Sequence, residues 1–159
     1  MARRRVMTPL RWSDMDAYGH VNNVQFLRLM EDARVIAFHG HDADDGGDLL
    51  STGLIVARHE IDYLVPLHYR PAPVAIDLWI SSVAGASFEM CYEVLDDSDD
   101  EGAAPVVYAR AESTMVAYDL DKLRPKRIGP GDREKFRQWW DEPVALRSRQ
   151  RAARVEAPQ

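Results

Sequence analysis

The hydrophobic pattern shifts along the chain from the period of a strand to that of a helix and back. Val6 to Trp12 reads as a first strand, and the next residues, Ser13-Asp14-Met15-Asp16-Ala17-Tyr18-Gly19-His20, carry the Asp and Gly content of turns. Asn22 or Asn23 then offers a helix cap. From about Val24 to Phe38 apolar residues leave only a narrow polar stripe at Gln25, Arg28 and Asp32, which predicts a largely buried helix with Glu31 and Arg34 as a helix-stabilising pair. The segment from His39 to Asp48, with three glycines and four aspartates, ends it.

From Gly53 to about Leu120 the period is two. Between Leu54 and Leu67, Ile55, Ala57, His59, Ile61, Tyr63 and Val65 share one face while Arg58, Glu60 and Asp62 share the other, and Pro66 ends the run. Val74 to Val83 and Phe88 to Val94, joined through Ala84-Gly85-Ala86, form a hairpin. The acidic tip from Asp96 to Gly102 reads as a solvated loop, and Val106 to Tyr118 is the last strand. A short helix is predicted around Asp132 to Trp140. The Arg-rich residues 144–159 show no core face, so a flexible tail, or one that docks only on a partner subunit, is expected after a single domain over residues 1–143. The element order is α+β: one helix laid across an antiparallel sheet of about five strands. The edges of such a sheet and the far side of the helix are best covered by a second copy, so a homodimer or homotetramer is expected.

Composition narrows the function classes. A chain of 159 residues with 46% hydrophobic residues suffices for one core. Its formal charge of -6 is the reverse of a nucleic-acid-binding footprint. The single cysteine, Cys91, rules out an intrachain disulfide framework and a multi-cysteine zinc site, in keeping with a reducing compartment. No apolar run approaches the roughly 18 residues of a membrane span. The basic start lacks the apolar segment of a secretory signal, so a cytoplasmic protein is expected.

Reactive residue types are densest between Arg11 and Asn23, where a strand gives way to the helix. Unpaired N–H groups at a helix start lie at the positive end of the macrodipole and can hold an oxygen that gains negative charge in acyl transfer. Asp16 stands close enough in sequence to fold over that point, as general base on water or as nucleophile, and Gly19 permits a tight backbone passage beside a substrate. Asp14 reads as a turn residue and Asn22 as a cap.

The run Asp14-Met15-Asp16-Ala17-Tyr18-Gly19-His20-Val21-Asn22-Asn23, followed by an apolar helix, resembles the signature of hotdog-fold acyl-CoA thioesterases of the 4-hydroxybenzoyl-CoA thioesterase-like family, and the resemblance continues at Ile61-Asp62-Tyr63-Leu64-Val65-Pro66. It implies a hotdog fold, with one long central helix wrapped by a curved antiparallel sheet, and interfacial active sites in a dimer. The implied activity is metal-free hydrolysis of a thioester to a carboxylic acid and coenzyme A, with no cofactor beyond the coenzyme A of the substrate. In similar proteins the acid matching Asp16 is the catalytic carboxylate and the N–H matching Asn23 polarises the carbonyl. Gln25-Phe26-Leu27 departs from the aromatic residues many relatives carry there.

His20 is expected as a proton shuttle, as a residue that orients Asp16 and substrate, or in a structural hydrogen bond within the loop. Gly19 and Asn22 are expected against the substrate, His59 in a core hydrogen bond or at a neighbouring subunit's cleft, and Arg58, Lys126 and Arg127 near the coenzyme A phosphates. His39, His41 and Asp42 form too small a cluster for a metal site, and none is assigned. Two alternatives stand beside hydrolysis: an acyl-thioester hydratase or dehydratase on the same fold, and a non-catalytic acyl-CoA-binding protein.

Overall fold

The computed structural model describes residues 3–39, 53–96 and 104–155. Strand β1 (Arg4–Thr8) leads through a single 3-10 turn (Trp12–Asp14) to helix α1 (Asn23–His39); β2 (Leu54–Tyr63), β3 (Val74–Val83), β4 (Ser87–Leu95), β5 (Val107–Asp119) and the two-residue β6 (Arg124–Pro125) follow, then α2 (Pro130–Gln138) and α3 (Arg147–Val155). The sheet is antiparallel, in the order β1-β3-β4-β5-β2, with β6 on β5. Register shifts at Val56/Arg58, Ile80/Ser82 and Val94/Leu95 mark bulges, the devices by which a sheet bends. The α+β expectation holds in this coarse form.

Several boundaries differ from the pattern-based reading. Pro9 has no N–H for a ladder, and β1 stops at Thr8 instead of reaching Trp12. Strand β2 stops at Tyr63, before Pro66. It pairs with β5 and not with its sequence neighbour β3, so it becomes an edge.

The main core lies between α1 and one sheet face. Phe26, Leu29, Met30, Ala33 and Ala37 of the helix meet Ile76, Leu78 and Ile80 of β3, Phe88, Met90 and Tyr92 of β4, and Ala111, Met115 and Ala117 of β5. The helix is buried on this face only: Val24, Val35 and Ile36 are exposed, contrary to the largely buried helix expected. Arg34, read as one half of a helix-stabilising pair with Glu31, lies 3.7 Å from it, and is buried and donates from Nη1 to the Tyr92 hydroxyl at 3.1 Å.

The other sheet face is covered as well. The alternating polar positions Asp77, Ser81 and Glu112 are buried: Asp77 pairs with Arg5 of β1 at 2.7 Å, Ser81 accepts from the Cys91 thiol, and the chain after α2 reaches Glu112. The Trp79 indole donates to Glu142 O at 2.8 Å, Val144 and Leu146 pack on Trp79 and Cys91 in a second apolar cluster, and Arg149 Nη2 reaches both Glu112 oxygens at 2.6 Å. The start of the Arg-rich tail therefore has a core face, which its arginines concealed in the sequence. Burial pushes the Cys91 thiol up to about 11, so it packs as a neutral side chain. No helix among the described residues is long and apolar enough to cross a membrane.

Candidate active site

The loop between β1 and α1 is fixed first at Asp14. Its carboxylate is fully buried and accepts from Arg11 N at 2.7 Å, Arg11 Nε at 3.0 Å and Arg28 Nη2 at 2.9 Å. Burial alone would raise its pKa, but the bonds from the Arg11 backbone and guanidinium and the charge of Arg28 outweigh that and hold the carboxyl below its usual range. The backbone continues the clamp, with Asn22 N donating to Asp14 O at 2.9 Å. Asp14 is a buried anchor, and not the simple turn residue expected.

Beyond Met15 the loop turns tightly. Asp16 N donates to His20 O at 2.8 Å and Gly19 N to Asp16 O at 3.1 Å, and Gly19 takes a φ of 76°, where a side chain would be strained. The Asp16 carboxylate is half-buried: Oδ1 accepts from Tyr18 N at 2.8 Å and, weakly, from His20 N at 3.5 Å, while Oδ2 has no hydrogen-bond partner among the described residues. Its fixed partners are neutral N–H groups, so it keeps an oxygen for other chemistry.

The helix start completes the geometry. Asn22 Oδ1 accepts from Val24 N at 3.1 Å and Asn22 O from Gln25 N at 2.9 Å, which makes Asn22 the cap. The Asn23 N–H has no partner among the described residues and remains one of the orphan donors of the first turn. Tyr63, at the end of β2, donates its hydroxyl to Asn23 O at 3.0 Å and sets its ring edge-on to Phe26, centroids 5.4 Å apart. Burial pushes the Tyr63 phenol up against the opposing effect of that bond, so it stays protonated and able to donate.

A cavity of about 300 Å³ opens here, with Asp16, His20 and Asn23 as its polar members and Val21, Phe26 and residues 63–67 as its apolar wall. Val21 N donates to Leu67 O at 2.7 Å and fastens the loop to that wall.

Asp16, His20 and Asn23 thus meet at one cavity, with Gly19 shaping the turn and Asn22 capping the helix beside them. The other candidates do not line it. Arg58 is paired with Glu60 and lies 3.9 Å from Glu112, and Lys126 and Arg127 follow β6. His59 Nδ1 sits 2.7 Å from Ser113 Oγ; burial, and then the charge of Arg34, lower its pKa, with Glu31 acting in the opposite sense. Phe26, Tyr63 and the wall at 64–67 are the lining residues missed as such: they read as a core position, a strand face and a strand end. His41 and Asp42, together with the side chain of His39, lie outside the described residues, as does most of the acidic tip. Among the described residues no three His, Cys, Asp or Glu side chains are grouped to hold a metal ion.

The sequence profile of the thioesterase-like superfamily matches residues 10–140. No curated protein matches the chain. Among solved structures, a predicted thioesterase from Bacillus stearothermophilus superposes with a TM-score of 0.75 over 90% of this chain and 100% of its own, at 24% identity, and bears on the fold alone. A thioesterase from Thermus thermophilus, complexed with coenzyme A and Zn, is 28% identical, with a TM-score of 0.66 over 85% of this chain and 92% of its own. A candidate acyl-CoA thioesterase from Xanthomonas campestris is also 28% identical, with a TM-score of 0.62 over 77% and 97%.

Proposed function

The chain belongs to the thioesterase-like superfamily, and from that premise we propose that it hydrolyses acyl-CoA thioesters to a carboxylic acid and coenzyme A, with Asp16 as general base or nucleophile. The observation that carries this reading is the shared cavity: Asp16 and Asn23, whose N–H has no partner among the described residues, line the same apolar-walled space. The thioester carbonyl oxygen would accept from Asn23 N–H at the positive helix end, where charge developing on it is stabilised. Asp16 either takes a proton from the water that attacks the acyl carbon or attacks that carbon itself and is regenerated by water. In both routes a C–O bond forms and the C–S bond breaks. A thiolate leaves readily, so no strong general acid is required. His20, at the same cavity, supports the step by orienting Asp16 and the substrate.

The coenzyme A bound to the Thermus relative supports a substrate of that class. Arg58, Lys126 and Arg127 remain our candidates for its phosphates, outside the cavity. We read α1 as the central helix of a hotdog layout. Exposed Ile55 and Val56 on edge strand β2, together with Val24, Val35 and Ile36 on α1, favour a homodimer or homotetramer.

A panel of acyl-CoA substrates with aromatic, short and long acyl groups, assayed by thiol release, tests the reading. Free coenzyme A should appear from at least one class, and light scattering should show a dimer or larger. Absorbance change at an enoyl double bond without thiol release would replace hydrolysis by hydration. Binding without either would leave a carrier.

A further inference from the structure

One imidazole beside the active-site turn belongs to none of the elements that signalled the site. His68 follows the apolar wall directly, and its ring stands edge-to-face on that of His20, centroids 4.7 Å apart and planes at 71°. Its Nδ1 lies 3.2 Å from Gly19 O. A carbonyl only accepts, so the proton of this bond sits on His68 Nδ1. His68 therefore grips the active-site turn at two adjacent places, the peptide that leads into His20 and the His20 ring.

Both grips fall where the turn has least support of its own. Gly19 has a φ of 76° and no side chain to pack, and the His20 ring makes no hydrogen bond to any described residue. The backbone bonds between Asp16, Gly19 and His20 close the turn without setting the χ angles of His20. Among the described residues, the ring contact that bears on them is the one with His68. The adjoining bond from Val21 N to Leu67 O, at 2.7 Å, anchors the segment from which His68 projects, so the grip has a rigid base.

We propose that His68 is a positioning residue for the thioesterase reaction, holding the His20 imidazole in the orientation in which it serves the cavity it shares with Asp16. This rests on the hydrolytic reading of that cavity. Catalytic groups lose rate steeply when they are misplaced by even an ångström, and a residue that acts only by placing another has no effect once that other is removed.

The experiment is a double-mutant cycle on the intact protein, followed by thiol release. His68→Ala should lower kcat about tenfold with KM changed by less than about twofold, and His68→Phe, which keeps a ring edge against His20, should recover most of the loss. In a His20→Ala background, His68→Ala should change kcat by less than about twofold. An equal loss in both backgrounds would overturn the proposal, because His68 would then act through the wall or the turn at large. A second readout needs no activity: the Hα–Hβ couplings of His20 should report one χ1 rotamer in the wild type and an average in His68→Ala at unchanged melting temperature. A single rotamer in both also overturns it. A wild type that releases no thiol from any acyl-CoA would sink the hydrolytic reading instead, and the couplings alone would then decide whether His68 holds His20.

Discussion

Asp14 is fully buried and takes its hydrogen bonds from Arg11 and Arg28, whereas Asp16, two residues on, is half-buried and takes its bonds from the N–H groups of its own turn. The bonds from the Arg11 backbone and guanidinium, with the charge of Arg28, stabilise the charged form of Asp14 so well that its carboxylate is a poor base and has no room for a reacting atom. Asp16 has one oxygen engaged by neutral donors and the other facing no protein partner among the described residues. The same contrast runs through the neighbouring residues. Residues 11–15 are locked by ion pairs into the protein, and residues 16–23 are held by backbone bonds, a cap and ring contacts that leave polar groups open to the cavity. A loop that is rigid at one end and open at the other can present a carboxylate in a fixed place with one oxygen left for a substrate or water.

The largest effect should come from Asp16→Asn. The change keeps shape and most hydrogen bonding but removes the charge, so kcat should fall by roughly 10²-fold to 10⁴-fold while KM and the melting temperature move little. A residual kcat above about a tenth of wild type, an effect smaller than about 1.4 kcal/mol, would remove Asp16 as the catalytic carboxylate and turn attention to His20.

Asp14→Asn should reverse that signature. Removing the charge weakens the hydrogen bonds to a fully buried carboxylate, while Arg28 keeps Asp32 at 2.6 Å and Arg11 reaches solvent, so the cost should be about 2 kcal/mol in stability. In a domain of this size that lowers the melting temperature by roughly 6 °C. Asp14 has a depressed pKa in the folded state. Its contribution is thus present above the unfolded carboxylate value and is lost as the pH falls through the lowered folded value. Wild-type stability should drop steeply below about pH 4, and the Asn variant should show a shallower decline over that range. Equal acid sensitivity of the two proteins would remove Asp14 as the anchor of the loop.

How much of this was legible follows from which signals are local. The cap at Asn22, the turn at Gly19 and the strands of the β3–β4 hairpin declare themselves in consecutive residues, and Asp16, His20 and Asn23 do meet at one cavity. Asp14 and Asp16 were told apart as turn residue and reacting carboxylate, but the anchoring role of Asp14 was hidden, because Arg28 reaches it from fourteen residues away. Strand order was hidden for the same reason: β2 leaves its sequence neighbour and pairs with β5. On the outer sheet face, Asp77, Ser81 and Glu112 carry the polar alternation of a solvated surface, yet Val144 and Leu146 cover that face from within an arginine-rich run whose composition masks two core residues. His68 lies in a Pro-flanked connection with no periodicity, and only its distance to His20 gives it a role.

The smallest effect should come from Tyr63→Phe, which sharpens the comparison at its weakest contact. The substitution deletes the bond from the phenol to Asn23 O and keeps the ring edge-on to Phe26. Tyr63 remains 39% exposed. Water can therefore reach the freed carbonyl, and the net loss should sit at the low end of the roughly 0.5–1.5 kcal/mol typical of one hydrogen bond. If residues 16–23 are a site held by weak contacts, that loss should appear in kinetics: kcat/KM should fall about threefold while the melting temperature stays within about 2 °C of wild type. Tyr63→Ala, which also removes the wall, should fall much further and raise KM. A Tyr63→Phe protein with unchanged kinetics and a melting temperature lowered by more than about 5 °C would place Tyr63 with Asp14, among the groups that hold the loop in the fold, and would move the boundary between the anchored and the open half of the loop past the helix start.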